Sequence, residues 1–159
     1  DCQGSFDRIV SIEMLEAVGE RYWPAYFATL RRLLKSDGRA VLQVITIDEA
    51  RFESYRTGAD FIQRYIFPGG MLPTKALIAE QARKAGLELV SSEFFGRSYA
   101  LTLAEWRRRF RCNWAAIQQL GFDQRFLRLW EYYLSYCEAG FNAGSLDVGI
   151  FVLEPDRNG

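Results

Sequence analysis

The sequence predicts an α/β protein whose sheet is mostly parallel. In the apolar segment Phe6–Ile12, Ile9 and Val10 adjoin without alternation, as in a buried strand. Residues 20–34 place apolar side chains on one helical stripe, and Arg39–Ile47 is a second strand rich in Val and Ile. A strand, a helix and a strand in this order form a βαβ unit, whose strands pair in parallel through a right-handed crossover.

The later segments continue this alternation of helices and strands. Arg51–Ile66 is weakly helical and ends at a Pro-Gly-Gly turn, which cannot continue a helix. Thr74 is expected to cap the next helix, and Thr102 with Glu105 forms a capping-box pattern at the start of a later one. The remaining predicted elements are a helix from Lys75 to Ala85, a strand Leu87–Phe95, a helix from Thr102 to about Leu120, a helix Phe122–Phe141 and a strand Asp147–Leu153. Because the last strand follows a helical excursion, it is free to enter the sheet antiparallel.

Length and charge place the chain among ordinary globular domains. It has 159 residues, which is enough for one domain with a buried core. Its 20 basic and 20 acidic residues cancel, so the net charge offers no argument for binding nucleic acid. The run Arg107–Arg109 with Arg111, beside Trp106 and Phe110, is interpreted as a solvated helix face in preference to a patch for anionic lipid headgroups.

Histidine and cysteine usage excludes several kinds of site. The chain contains no histidine, which excludes a histidine base and a histidine metal site within it. Its three cysteines form no CxxC pair, so we expect no metal site and a reducing compartment. No apolar run reaches membrane-spanning length, so we expect a cytoplasmic protein.

Four sequence motifs carry a family resemblance. They are, in chain order, FDRIVSIEMLEAVG, FIQRYIFPGGMLP, SYALTLAEW and YYLSYCEAGF. With these motifs the chain resembles the cyclopropane fatty-acyl-phospholipid synthases, which are S-adenosylmethionine-dependent methyltransferases, from Phe6 to about Leu153. The resemblance implies the carboxyl-terminal part of a Rossmann-like class I methyltransferase fold, with a mostly parallel sheet and an antiparallel last strand.

The resemblance also implies that part of the sheet precedes this chain. Residues 1–159 would form a single partial domain that supplies the fourth to seventh strands, and the amino-terminal half of the sheet, with its cofactor loop, would be absent. We therefore expect the chain to belong to a longer enzyme. On its own it is expected to form a homo-oligomer near Phe6–Ile12, where the first strand would otherwise pair, and to bind S-adenosylmethionine poorly.

The chemistry of the family gives roles to several polar residues. Methyl transfer from S-adenosylmethionine to an alkene leaves a carbocation, and the resemblance implies a bound bicarbonate as the base that removes a proton. Glu16, Gln43, the Ile45 backbone and Tyr99 match the family positions around that anion. Ala17 and Gln43 stand where many members have histidine, although the glutamine amide can still donate a hydrogen bond. Without the resemblance, Glu16 would be interpreted as a helix-start carboxylate and Tyr99 as a half-buried loop residue.

The resemblance further implies cofactor contacts and an acyl channel. Ser11 and Ile12, at the end of the first strand, would contact the cofactor. The positions that match the channel lining are Phe67, Leu103, Tyr133, Cys137 and Phe141. The last three of these share one helical face, a pattern that is also typical of plain core packing.

The predicted function is transfer of a methyl group from S-adenosylmethionine to the double bond of unsaturated phospholipid acyl chains, which forms a cyclopropane ring. The protein would then be cytoplasmic and peripheral to the inner face of the membrane, with phospholipid acyl chains as partners and no nucleic acid. One alternative is a methyltransferase of the same fold with a soluble small-molecule substrate. Another is an inactive fragment that serves as a lipid-binding or oligomerisation module.

Overall fold

The computed structural model of the chain describes residues 2–156. The described residues divide into two compact units, residues 2–94 with 148–156 and residues 95–147, which we name the sheet unit and the helical unit. This division into compact units does not test the expectation of a single domain, which stays a prediction. Within the described residues, no helix has the length and apolar character needed to cross a bilayer.

The described residues form a four-stranded sheet with the order β1-β2-β4-β3. The strands are β1 (Phe6–Ile12), β2 (Leu34–Ile47), β3 (Leu87–Phe94) and β4 (Leu146–Pro155), and the helices of the sheet unit are α1 (Leu15–Val18), α2 (Trp23–Leu33), α3 (Glu49–Thr57), α4 (Phe61–Tyr65) and α5 (Lys75–Lys84). β1 and β2 are parallel, whereas β3 and β4 are antiparallel. Both arrangements confirm the predicted α/β class with an antiparallel last strand.

Strand β2 separates the core from the functional face of the sheet. Ala40, Leu42 and Val44 are buried, and they alternate with less buried residues that include Gln43 and Ile45. Because successive strand residues point to opposite faces, one face of β2 is core and the other carries Gln43 and Ile45. Both of these residues lie near the carboxyl end of the strand, where α/β sheets bind their ligands.

Strand β1 differs from its prediction in burial. The sequence predicts a buried strand, but Val10 is 67% exposed and Ile12 is 64% exposed. The reason is position, since β1 lies at the edge of the described sheet and pairs with β2 alone. An apolar strand at an edge therefore leaves both apolar side chains and backbone hydrogen-bonding groups uncovered.

The helical unit is built on two antiparallel helices. Its helices are α6 (Gly96–Cys112), α7 (Trp114–Gln119) and α8 (Gln124–Asn142). Ion pairs join Arg107 to Glu138 at 2.8 Å and Arg111 to Glu131, so residues later in α6 meet residues earlier in α8. The carboxyl end of α6 and the amino end of α8 consequently lie at the same end of the pair.

The predicted start of the first long helix is wrong. Helix α6 begins at Gly96 rather than at Thr102, and the Thr102 hydroxyl donates to the Ser98 carbonyl from inside the helix at 3.2 Å. The Gly96 amide donates instead to the carboxylate of Asp147 at 3.1 Å. Because this acceptor is remote in sequence, the local capping-box pattern does not reveal it.

Candidate functional site

The carboxyl ends of β1 and β2 bring a set of polar groups together. The backbone hydrogen-bond ladder between β1 and β2 continues for one bond past the end of β1, where the Glu13 amide donates to the Gln43 carbonyl oxygen at 2.8 Å. Glu13 has a φ of +48°, a left-handed conformation that turns the chain away from β2. The next donor of the parallel ladder, the Ile45 amide, therefore has no strand carbonyl to meet. It donates to the side chain of Glu16, at 2.6 Å from Oε1.

The Glu16 carboxyl group has only part of the stabilisation that an anion needs. Its Oε2 is buried and has no hydrogen-bond partner among the described atoms. Burial raises the pKa of Glu16 to about 7, and the hydrogen bond from Ile45 opposes that rise. The negative charge of Glu13 adds to it. A carboxyl group of this kind can hold or release a proton near neutral pH.

Glu13 is a member of the site that the sequence analysis missed. The Gln43 amide nitrogen donates to Glu13 Oε1 at 2.7 Å. Because a carboxylate only accepts hydrogen bonds, this contact fixes which end of the Gln43 amide faces Glu13. The signal in the sequence was a second carboxylate directly after the strand. The residue type does not predict the left-handed backbone conformation that places this carboxylate beside Gln43.

Two of the sequence motifs meet behind Glu16. The Met71 amide donates to the Glu16 carbonyl oxygen at 2.9 Å, which joins the IFPGGMLP segment to the EMLEAVG segment. Gly19 has a φ of +79°, and a Cβ there would lie 3.2 Å from the Gly69 carbonyl oxygen. A side chain at Gly19 would thus be both strained and crowded. The Pro-Gly-Gly turn therefore acts as a close backbone support for the loop that carries Glu16.

The predicted cofactor residues lie beside this cluster. The Tyr26 hydroxyl donates to Ser11 Oγ at 2.7 Å, and burial raises the pKa of Tyr26. Ile12 leaves an apolar surface open at the end of β1. Carboxylates next to an open apolar surface suit a cationic group joined to a nucleoside, so these residues fit the sulfonium of S-adenosylmethionine. The roles of Ser11 and Ile12 stay predictions.

The same cluster does not fit bicarbonate as it stands. The side-chain amide of Gln43 and the backbone amide of Ile45, both predicted to hold that anion, already donate to Glu13 and Glu16. The negative charge of Glu13, which already helps to raise the pKa of Glu16, also repels another anion. We therefore derive no step through bicarbonate, and its binding stays a prediction.

The other predicted site residues divide between the two units. Phe67 lies in the sheet unit, in the turn after α4, and its side chain is exposed. In the helical unit the Tyr99 ring lies 5.0 Å from the Phe141 ring, centroid to centroid. Leu103 and Phe141 are buried, whereas Tyr133 and Cys137 are half-buried on the same helix as Phe141. The catalytic role of Tyr99 and the acyl channel stay predictions.

Comparison with known proteins identifies the family. The family profile described as Mycolic acid cyclopropane synthetase matches residues 1–151. The chain is 46% identical over 154 residues to the tuberculostearic acid methyltransferase UfaA1 of Mycobacterium tuberculosis, covering 96% of this chain and 36% of that protein. It is 34% identical over 151 residues to the cyclopropane-fatty-acyl-phospholipid synthase of Escherichia coli K12, covering 93% of this chain and 37% of that protein.

Solved structures show the same similarity at the level of the fold. The crystal structure of mycolic acid cyclopropane synthase CmaA1 complexed with SAH and CTAB matches with a TM-score of 0.86 and 28% identity, over 96% of this chain and 56% of that one. The cyclopropane synthase MmaA2 from Mycobacterium tuberculosis matches with a TM-score of 0.84 and 27% identity, over 94% and 55% of the two chains. The chain thus spans about a third of the two curated relatives and about half of these structures. These matches confirm the partial class I methyltransferase fold, and the chain belongs to the mycolic acid cyclopropane synthetase family.

Proposed function

We propose that a polypeptide of the relatives' length that carries this chain methylates unsaturated lipid acyl chains, with S-adenosylmethionine as the methyl donor. Membership of the family supports methyl transfer, and the names of the relatives support a lipid substrate. The observation that carries the proposal is the Glu16 carboxyl group, held by the Ile45 amide at the carboxyl end of β1 and β2 beside Glu13.

The negative charge of this cluster suits a reaction that passes through a cation. An alkene is a weak nucleophile, and S-adenosylmethionine when bound supplies a strongly electrophilic methyl group. The methyl–sulfur bond would break with its electron pair going to sulfur, the π electrons of the alkene would form the new carbon–carbon bond, and the positive charge would pass to the acyl chain. Glu13 and Glu16 place carboxylates where an apolar pocket would otherwise leave such a charge unstabilised. Their hydrogen bonds to Gln43 and Ile45 hold both groups before the reaction begins.

The same cluster supplies a proton acceptor. A C–H bond of the new methyl group breaks, its electron pair closes the cyclopropane ring, and the proton goes to Glu16 Oε2. A pKa of about 7 lets this carboxyl group accept the proton and later release it at neutral pH. Bicarbonate is the alternative acceptor implied by the resemblance. Dependence of turnover on added bicarbonate in a carbonate-free buffer would favour it over Glu16.

The test is an assay with radiolabelled S-adenosylmethionine and vesicles of unsaturated phospholipid, using the longer polypeptide. We expect label in the acyl chains and a cyclopropane ring in the fatty acid methyl esters by mass spectrometry. Glu16→Gln should lower turnover by roughly two to four orders of magnitude. Saturated phospholipid is the matched substrate control, since it offers no double bond.

The possible results separate the alternatives. A methyl branch in place of a ring would keep lipid methylation and correct the product. Label transferred to a soluble amine or hydroxyl compound but not to lipid would indicate the small-molecule alternative. No transfer to any lipid by a folded polypeptide that binds S-adenosylmethionine would overturn the proposal.

A further inference from the structure

One end of the helical unit presents exposed apolar side chains with arginines around them. We define the hairpin end as the last turns of α6, helix α7, the turn at residues 120–123 and the first turns of α8. The antiparallel packing of α6 and α8 brings these segments to one end of the unit. Asp123 caps α8, with its carboxylate accepting from the Phe126 amide at 2.8 Å, so the turn has a defined geometry.

The turn presents two large apolar side chains. Leu120 is 78% exposed and Phe122 is 42% exposed. Phe122 lies 4.4 Å from Phe126, ring centroid to centroid, and Phe126 lies 6.1 Å from Phe110. Trp114 continues this aromatic cluster at 5.9 Å from Phe110. The exposed leucine and phenylalanine, packed on a layer of aromatic rings, form an apolar surface that suits insertion into an apolar phase.

Arginines surround this apolar turn. From Glu105 to Glu131 the hairpin end carries six of them, against the three carboxylates Glu105, Asp123 and Glu131; the arginines are Arg107, Arg108, Arg109, Arg111, Arg125 and Arg128. Glu105 bonds both Arg108 and Arg109 at 2.7 Å, so one carboxylate is shared between two guanidinium groups. Arg125 and Arg128 lie exposed on the first turns of α8. The end is therefore positively charged, although the whole chain has no net charge.

We propose that the hairpin end docks on an anionic phospholipid bilayer, with Leu120 and Phe122 entering the acyl boundary and the arginines bonding lipid phosphates. The chemistry of the surface selects this partner. Insertion of the two apolar side chains needs a hydrocarbon phase, and the surrounding guanidinium groups need anions at the rim of that phase. Arginine also binds phosphate through paired N–H groups. A nucleic acid would meet the arginines but would leave the apolar turn in water.

The proposal deepens the proposed function, because it names the surface through which a lipid-modifying protein would reach its substrate. It does not depend on methyl transfer, since binding to a bilayer needs no reaction. A protein that binds vesicles but transfers no methyl group would leave the docking surface intact and remove the proposed function. Lipid methylation by a protein whose hairpin end does not bind vesicles would leave the proposed function intact and remove the docking surface.

The test is co-sedimentation of the 159-residue chain with vesicles of phosphatidylcholine, with and without about 30% phosphatidylglycerol. We expect binding to the anionic vesicles that weakens as salt rises from about 0.1 M to about 0.5 M. Arg125→Gln with Arg128→Gln should lower the partition coefficient by roughly 25-fold, at about fivefold per arginine. Leu120→Ser with Phe122→Ser should lower it by at least about tenfold.

Matched controls come from elsewhere in the chain. Leu101 is 74% exposed and Val90 is 43% exposed, so Leu101→Ser with Val90→Ser removes similar apolar surface outside the hairpin end. Arg83→Gln with Arg97→Gln removes the same charge from exposed positions. Circular dichroism confirms that each variant is folded. Equal losses in the controls, unchanged binding of the hairpin variants, or equal binding to neutral vesicles would each overturn the proposal. So would retention by double-stranded nucleic acid without retention by anionic vesicles.

Discussion

At the scale of single residues, the structure explains why Glu16 is unusual. The carboxylate takes the place of a strand carbonyl in the β1–β2 ladder, because Glu13 turns the chain away one residue too early for a backbone partner. Sequence reasoning found Glu16, Gln43 and Ile45 through the family resemblance. It missed Glu13, because the conformation that joins Glu13 to Gln43 depends on backbone geometry and not on residue type.

The first prediction concerns the charge of Glu13. Glu13→Gln removes a negative charge whose repulsion raises the pKa of Glu16, so that pKa should fall in the variant. It should stay above the ordinary value of 4.5, because burial is the larger cause. The measurement is a titration of carbon-13-labelled glutamate carboxyl groups by nuclear magnetic resonance. The control is Glu53→Gln, which removes the same charge from an exposed position on α3. An unchanged Glu16 titration in the Glu13 variant would contradict the assignment.

The second prediction concerns stability against pH. Glu16 binds its proton more tightly in the folded chain than in the unfolded one, so the free energy of unfolding falls as pH rises from 4.5 to about 7. The loss from this residue amounts to about 3 kcal/mol, since each pH unit between the folded and unfolded pKa values corresponds to about 1.4 kcal/mol. Glu16→Gln removes this contribution. The free energy of unfolding of the variant should therefore rise relative to that of the native chain as pH increases from about 4 to about 8. Urea unfolding at both pH values measures the difference. Parallel pH profiles for the two proteins would show that Glu16 titrates normally.

At the scale of helices and strands, sequence patterns succeeded where the signals were local. The helix from Lys75 was predicted with its cap, and the Leu77 amide does donate to Thr74 Oγ1 at 3.2 Å. The segment before the Pro-Gly-Gly turn was predicted as weakly helical and forms two short helices, α3 and α4. The start of α6 was missed, because the group that accepts from its first amide is the carboxylate of Asp147, which is the last residue of the helical unit in the sequence. For β1 the apolar pattern predicts burial, whereas the family resemblance predicts an uncovered edge at Phe6–Ile12, and the exposed side chains of Val10 and Ile12 agree with the resemblance.

The third prediction compares two threonines that the sequence presents as equivalent caps. Thr74 is buried and accepts from a backbone amide that has no helical partner, so Thr74→Ala should cost about 1 kcal/mol or more of unfolding free energy. Thr102 lies inside α6 and bonds the preceding turn, so Thr102→Ala should change stability by less than about 0.5 kcal/mol. Chemical denaturation of the two variants at one pH makes the comparison. Equal losses would mean that Thr102 does act at a helix start.

At the scale of the whole molecule, the exposed edge of β1 dominates the expected behaviour in solution. Val10, Ile12 and Met14 are all exposed large apolar residues on or just beyond an edge strand. The strand pairs with β2 on one side, and its outer edge carries backbone groups that a further strand could bond. Natural sheets protect such edges with charge, proline or a covering element. This edge offers Asp7 and Arg8 only at its amino end.

The fourth prediction is that the 159-residue chain associates through this edge. Light scattering across a range of concentrations should show a dimer or larger species in equilibrium with the monomer. Val10→Lys should shift that equilibrium toward the monomer, because a second copy pairing along β1 would bring two like charges together. Leu101→Lys is the matched control, as it places the same charge on an equally exposed residue of α6. A chain that stays monomeric at high concentration would contradict association. An oligomer that responds equally to both lysine variants would show that the interface does not lie along β1.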